Sequence, residues 1–412
     1  MNRWLQRTVE GNFESTLSSL LSYGALLDHD SAIVVDLQAL EVRLKELAAA
    51  FPSGTLHAVA VKANPLLEVL RLLVGLGAGL EVASGGELAL ALAADCPTAR
   101  IVYDSPAKTA RELSHALHLG VRINANSWAE LERIEALLAS QSSRSQIGLR
   151  LNPVIAGSER ESATMVATAG SKFGLLAPQV EAALARFPFL SGLHVHVGSQ
   201  VATREDLVLG VRRALELAQK FPQIRWLDIG GGLPSRYRSE DPGLSPKDYA
   251  ETLLSDLPEL AQYDLITEVG RALHSGCGWA VTRTEYADQS KAILHLGADF
   301  ALRTAYQPES WYHEMTVHGA EGRLKVGELL PVDLYGPLCF SGDRIAQGRL
   351  LPRLEEGDLV VVHDTGAYTL SMWSRYCSRA IPPVYGWTGT DWKVLRQGEA
   401  SEDLVEFWSL RD

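Results

Sequence analysis

The stretch that decides the fold is 56–88, LHAVAVKANPLLEVLRLLVGLGAGLEVASGGEL. It opens on the apolar run LHAVAV, breaks at Lys62-Ala63-Asn64-Pro65, continues with leucines and valines at helical spacing, and closes on a second short run, AGLEV. Short run, helical segment and short run make a βα alternation of the kind a parallel sheet is built from.

Outward from this stretch the theme repeats from about Ser31 to Arg271. After a lead-in, SAIVVDL, and its helix, the runs are LHAVAV, AGLEV, RIVY, VRIN, QIGLRL, SGLHVHV, RWLDI and DLITE. The segments between them are amphipathic: from Thr203 to Phe221, Leu207, Val208, Val211, Ala214, Leu215 and Ala218 recur at intervals of three or four. Eight such runs with helical segments between them are what a closed (β/α)8 barrel requires. Beyond Arg271 the texture changes to glycine- and proline-punctuated runs such as WAVTRTEYA, AILHLGA and GDLVVVHD, which predict a β domain. The expected division is an α/β TIM barrel over 35–275 and a β domain over 276–412 that also takes in 1–34.

Composition narrows the function. With 412 residues, 46% of them apolar and 21% charged, the chain has ample core, which excludes a fibre or a disordered tail. Its net charge of −12 argues against a nucleic-acid backbone or an anionic bilayer as partner, so a small molecule is expected. Cys96, Cys277, Cys339 and Cys377 show no metal-ligand spacing and no disulfide-scaffold pattern. The N-terminal MNRWLQRTVEGNFESTL has no signal-type apolar stretch, and no window is apolar for about 18 residues. A cytoplasmic, reduced protein is the expectation.

In such barrels the chemistry stands where strands end at their carboxyl side. Run one ends in Lys62, run two contains Glu81, run five carries Arg150, run six carries His194 and His196, run seven opens into Gly230-Gly231-Gly232, and run eight ends in Glu268-Val269-Gly270-Arg271. Lys62 follows Ala58 and Ala60 at strand period, so it is expected in the lumen, desolvated; such a lysine has a lowered pKa and forms imines. The bland reading is a rim lysine paired with a carboxylate. The glycine triplet lets backbone N–H groups approach an anion, and Arg271 offers a planar fork to a phosphate or carboxylate. Glu268 suits a pyridine nitrogen, and a histidine at 194 or 196 can lie flat on a ring, although a core histidine bonded to a carbonyl is the plainer reading.

The set resembles the fold-type III pyridoxal-phosphate decarboxylases, the family of diaminopimelate and ornithine decarboxylases. The resemblance is carried, in order, by AVKANP (60–65), GLEVASGGEL (79–88), SKFGL (171–175), HVHVGSQ (194–200), LDIGGGLP (227–234), EVGR (268–271), GPLCFSGD (336–343) and GAYTLSMWSRYCSR (366–379). It implies pyridoxal 5'-phosphate as cofactor, with Lys62 as the Schiff-base lysine, His196 stacked on the ring, Glu268 at the pyridine nitrogen, and Ser199, Gly231, Gly232, Gly270, Arg271 and Tyr368 around the phosphate. It implies a homodimer whose active sites are shared, with Cys339, the proton donor, and Asp343 contributed by the partner subunit's β domain, from which Tyr368 could come as well. Arg271, Arg303, Tyr306, Phe340, Asp343 and Tyr368 would face the amino-acid substrate.

The departures concern that substrate. Family members place a glutamate or aspartate after the cysteine to receive a distal ammonium, where this chain has Phe340. In ADFALRTAY (298–306), Arg303 matches the substrate arginine while Tyr306 stands one position early; Cys377 replaces an asparagine, and EVGR replaces EPGR. The expectation is a decarboxylase for a modified or acylated amino acid with a carboxylate or amide tail, in siderophore or antibiotic assembly. Diaminopimelate decarboxylation, racemisation and a catalytically silent homologue are the alternatives; the carboxylate at 268 speaks against a racemase.

Overall fold

β-Branched and small apolar residues at the predicted runs fold as short strands because each can be buried on both faces. The computed structural model describes residues 12–155, 165–201, 203–241 and 243–410. It divides into two units, one of Met1–Leu40, Arg236–Asp241 and His274–Asp412, the other of Glu41–Ser235 and Pro242–Leu273.

Strand β1 (Ser31–Asp36) belongs to the first unit. The second unit is a closed barrel of eight parallel strands: β2 (Leu56–Ala60), β3 (Gly79–Val82), β4 (Ile101–Asp104), β5 (Arg122–Ala125), β6 (Ile147–Leu151), β7 (Leu190–Val195), β8 (Trp226–Asp228) and β9 (Asp264–Thr267). These are the eight runs. Helices between them start on side-chain caps where the sequence supplies one: Ser84 accepts from Glu87 N, Ser127 from Glu130 N and Thr203 from Asp206 N.

The lumen is filled by Trp226, 1% exposed, against Ala58, Val102 and Ile266. Room for the indole comes from two glycines. A Cβ at Gly192 would stand 2.1 Å from Trp226 Cε2, and one at Gly148 2.3 Å from its Cη2. Trp226 Nε1 donates to Ser191 Oγ at 3.1 Å, so the ring's polar edge is satisfied.

In the other unit β1 pairs antiparallel with β10 (Gly278–Ala287), in a nine-stranded mixed sheet that also contains β11 (Lys291–Leu294), β12 (Met315–His318), β13 (Leu329–Tyr335), β14 (Arg344–Pro352), β15 (Leu359–Val362), β16 (Val384–Trp387) and β17 (Trp392–Arg396). Its core joins Val34, Trp279, Val281, Leu359 and Val361 to Leu17 and Leu20 of the helix Asn12–Ser22. One segment departs from the expected division. Residues 236–241 lie within the range assigned to the barrel, yet they belong to the sheet unit, where the Tyr237 ring packs edge-on against His313 at 5.4 Å and the Arg238 guanidinium lies 4.8 Å from the Tyr312 ring. No described helix is long and apolar enough to cross a membrane.

Candidate active site

Alternate residues of a strand face the same side, so the residue two beyond each lumen-filling position returns to the lumen one layer nearer the strand's carboxyl end. Above Trp226 stands Asp228, above Ile266 Glu268, above Gly192 His194, above Gly148 Arg150, and above Val102 Asp104. A buried polar layer thus rests on an apolar floor. Arg150 Nη1 donates to Asp104 Oδ2 at 2.8 Å, and Asn124 Nδ2 donates to Asp228 Oδ2 at 3.1 Å. His194 lies between two carboxylates, with Nε2 3.3 Å from Glu268 Oε2 and Nδ1 3.7 Å from Asp104 Oδ1. Carboxylate oxygens of Glu81, Asp104 and Glu268 come within 4.8 Å of one another.

Crowding so many acids sorts their protonation. Burial and the Glu268 charge push Asp228 well above the usual carboxylate range. Burial opposes ionisation of Asp104 as well, but Arg150, His194 and Lys108 outweigh it and hold that carboxyl low. Glu268 follows the second pattern: burial pulls it up, His194 and Lys62 pull it further down. Its Oε1 is buried and makes no hydrogen bond to the described residues.

Lys62 follows β2 in a 3-10 turn, Val61–Ala63. Desolvation was expected; instead 42% of its side chain is exposed, and its Nζ bonds Glu81 Oε2. The cause is position: two residues beyond the last alanine of the run, the chain has already left the strand for the barrel mouth. The carboxylate pairing that a rim lysine would make is therefore present. Burial pushes Glu81 up to about 8, against the pull of Lys62 and with the push of Glu268 and Asp104.

Behind the lysine the ends of three strands are tied together. Glu268 N donates to Gly230 O at 2.8 Å, Val201 N to Gly232 O at 3.2 Å, and Gly231 N to His196 Nδ1 at 3.1 Å. His196 is pushed down to about 3 by burial and by Arg150, in keeping with an Nδ1 that accepts. Only glycine fits here: a Cβ at Gly231 would stand 2.4 Å from Glu268 O, and one at Gly232, with φ +105°, 2.6 Å from Gly198 O. Arg271, buried, donates from Nε to Ser199 Oγ at 3.1 Å, and Gly270 O accepts from Leu273 N at 3.2 Å as the helix Arg271–His274 begins. The barrel unit thus gathers Lys62, His196, Ser199, Gly231, Gly232, Glu268, Gly270 and Arg271 at the carboxyl ends of β2, β7, β8 and β9.

The remaining expected residues lie in the sheet unit. The Arg303 guanidinium is 4.6 Å from the Trp311 ring and 5.1 Å from that of Tyr368, a residue in left-handed backbone at φ 58°. Tyr306 stacks on Phe340 at 5.7 Å with 20° between the planes, and Tyr376 meets Phe340 edge-on at 6.0 Å. Cys339 is exposed, and the nearby Cys377 thiol raises its pKa. Asp343 corrects the expectation of a substrate contact: it is 2% exposed, and its two oxygens accept from Ala298 N at 2.6 Å and Leu338 N at 2.5 Å. A carboxylate so spent shapes the turn that carries Cys339 and Phe340.

Asp104 and Asp228 were not singled out from the sequence, although each closes its run, in RIVY followed by Asp104 and in RWLDI. The strand-end rule that found Glu268 would have found both. Lys108, also missed, is a structural cation, buried with Glu130 at 2.8 Å and donating to Asn124 O at 2.9 Å.

Residues 37–275 match the family described as pyridoxal-dependent decarboxylase, pyridoxal binding domain. A diaminopimelate decarboxylase of Pseudomonas aeruginosa is 34% identical over 374 residues, covering 87% of this chain and 88% of its own. One of Aquifex aeolicus is 30% identical over 384 residues, covering 89% of each. The crystal structure of diaminopimelate decarboxylase from Helicobacter pylori complexed with L-lysine superposes with a TM-score of 0.85 at 27% identity, covering 94% of this chain and 98% of that one. By barrel, sheet unit and sequence alike, the chain belongs to the fold-type III pyridoxal-phosphate-dependent decarboxylases and is a carboxy-lyase of the diaminopimelate decarboxylase type.

Proposed function

We propose that the chain decarboxylates an α-amino acid whose side chain ends in a carboxylate or amide and brings no distal ammonium to position 340, an acylated amino acid of siderophore or antibiotic assembly being the kind of substrate meant. The observation that carries this is the aromatic stack of Phe340, Tyr306 and Tyr376, which supplies a flat apolar wall and no carboxylate. Arg303, framed by Trp311 and Tyr368, is the cation that suits an anionic or amide tail.

The residues present fit pyridoxal phosphate. The buried Glu268 Oε1 has room for a donor, and the glycine loop keeps clear the space a Cβ would fill. When bound, the cofactor supplies an aldehyde for amines and a pyridinium that takes up the electron pair left at the substrate α-carbon as carbon dioxide departs. Lys62 is the amine that holds the cofactor, and Glu81, whose carboxyl burial pushes up, bonds its Nζ and positions it at the barrel mouth. Glu268, kept ionised by His194, holds a proton at the pyridine nitrogen. His196 lies against the ring as a neutral imidazole. Ser199, Gly231, Gly232, Gly270, Arg271 and Tyr368 bind the phosphate, and Cys339 Sγ delivers the proton to the α-carbon. Two chains assemble into a homodimer in which the sheet unit of one subunit completes the barrel site of the other.

The test is carbon dioxide release by the cofactor-loaded protein from meso-diaminopimelate, lysine, ornithine, arginine and an Nε-acylated lysine with a terminal carboxylate. Turnover of the acylated compound alone supports the proposal; rapid lysine formation from diaminopimelate refutes the reading of Phe340. That second reading, a meso-diaminopimelate decarboxylase making L-lysine, is favoured by the names of the relatives.

A further inference from the structure

We infer that Cys339 and Cys377 form a redox couple, a dithiol that hydrogen peroxide converts into an intrachain disulfide and a thiol reductant reopens. Two contacts of their neighbours bring the residues together: Tyr376 Oη donates to Cys339 O at 3.3 Å, and the rings of Phe340 and Tyr376 pack at 6.0 Å. The two thiols are near enough that Cys377 raises the pKa of Cys339. Position 377 is also held in left-handed backbone, at φ 58°, at the bend between Tyr376 and Ser378. A cysteine pays more for that conformation than a glycine or asparagine would, so the thiol is displayed at a cost the fold must cover elsewhere.

In the single chain both cysteines are exposed, and Cys377 lines an open pocket with Asp30, His295 and Arg379. In the proposed homodimer Cys339 faces the partner's active site, which a small oxidant reaches by the path the substrate takes. The other two, Cys96 and Cys277, are buried. Reactivity towards a small oxidant is therefore confined to the facing pair. The neighbouring Cys377 raises the pKa of Cys339.

The chemistry closes on itself. One thiolate attacks a peroxide oxygen, the O–O bond breaks, and a sulfenic acid and water result; the second thiolate attacks the sulfenic sulfur, the S–S bond forms, the S–O bond breaks, and hydroxide leaves with the remaining proton as water. Two thiols and one peroxide give one disulfide and two waters. On the reading that Cys339 delivers the proton to the α-carbon, which this consequence requires, the oxidised enzyme has lost its proton donor and turnover falls until the bond is reduced.

The experiment treats the full cofactor-loaded protein with a small excess of hydrogen peroxide, removes the peroxide, denatures under an alkylating agent and reads thiols, intact mass and peptides. The expected result is a fall from the four thiols of the sequence to half that number, a mass lower by about 2 Da before alkylation and two alkyl groups fewer after it, a proteolytic fragment joining 339 to 377, and full reversal by dithiothreitol. Cys377→Ser, with Cys377→Asn as a second variant should serine perturb the turn, is expected to keep all its remaining thiols under the same treatment. Oxygen adducts on Cys339 without the joined fragment, a bond between two chains, or an unchanged thiol count would overturn the inference. Activity is read separately: a complete cross-link with turnover intact leaves the redox couple standing and removes Cys339 from its proposed catalytic role.

Discussion

Gly192→Ala is expected to strain the floor on which the active site rests. An added Cβ would stand 2.1, 2.2 and 2.4 Å from Trp226 Cε2, Cδ2 and Cζ2. Carbon atoms settle at about 3.5 Å or beyond, so the indole must retreat by roughly 1.4 Å. It has little freedom to do so: Gly148 lies against the far end of the ring, Ser191 holds its nitrogen, and Ala58, Val102 and Ile266 pack around it. The upper part of the usual overpacking range, about 3 kcal/mol, is therefore expected. Trp226→Phe removes ring atoms that the methyl would strike, at a cavity cost of about 2 kcal/mol. In the double variant the methyl occupies part of the vacated space, so the losses should fall short of their sum by about 1–2 kcal/mol. Urea unfolding of the four proteins, followed by far-ultraviolet circular dichroism, measures this coupling. Additivity within about 0.5 kcal/mol, or a loss below about 1 kcal/mol for Gly192→Ala alone, would refute the argument that the glycine exists to admit the ring.

Three further outcomes follow from the geometry. Glu268→Gln should lower kcat by about 10²–10³-fold while the protein keeps its cofactor absorbance, since it removes charge that stabilises the reacting state; retained turnover with cofactor lost would contradict this. Gly231→Ala should weaken pyridoxal-phosphate binding tenfold or more, because the added Cβ strikes the carbonyl of Glu268 at 2.4 Å; equilibrium dialysis reads the change. His57, buried against Thr267 Oγ1 at 2.9 Å, has its pKa lowered from 6.5 to about 4 by burial. Because the folded value is the lower one, its contribution is present above pH 6.5 and is lost as the pH falls from there towards 4, by at most about 3 kcal/mol. His57→Gln should flatten that acid limb of the denaturation midpoint, and parallel curves for the two proteins would count against it.

Much of the barrel is legible in the sequence because burial on both faces leaves a continuous apolar run, and every one of the eight runs became a strand. The site residues that end those runs were legible for the same reason, since Glu268 and His194 inherit their direction from a period of two. Other features depend on closure across the lumen, which no local pattern records. The pairing of Asp104 with Arg150 joins β4 to β6, and the Gly192 and Gly148 that admit Trp226 read along the chain as ordinary strand glycines. Lys62 was misplaced because one turn of 3-10 helix carries it out of the strand. Asp343 was assigned to substrate because its motif is recognisable, whereas its burial is decided by two backbone amides, at Ala298 and Leu338, only one of them near it in sequence.

The tryptophan beneath the acids has a kinetic corollary. With the lower end of the tube plugged by an indole, amino acid, gas and amine must share a single doorway, and a hydron leaving Asp228 has to climb past its neighbours to reach bulk solvent. Exchange of that hydron should accordingly lag behind that of Lys62, which already stands on the threshold.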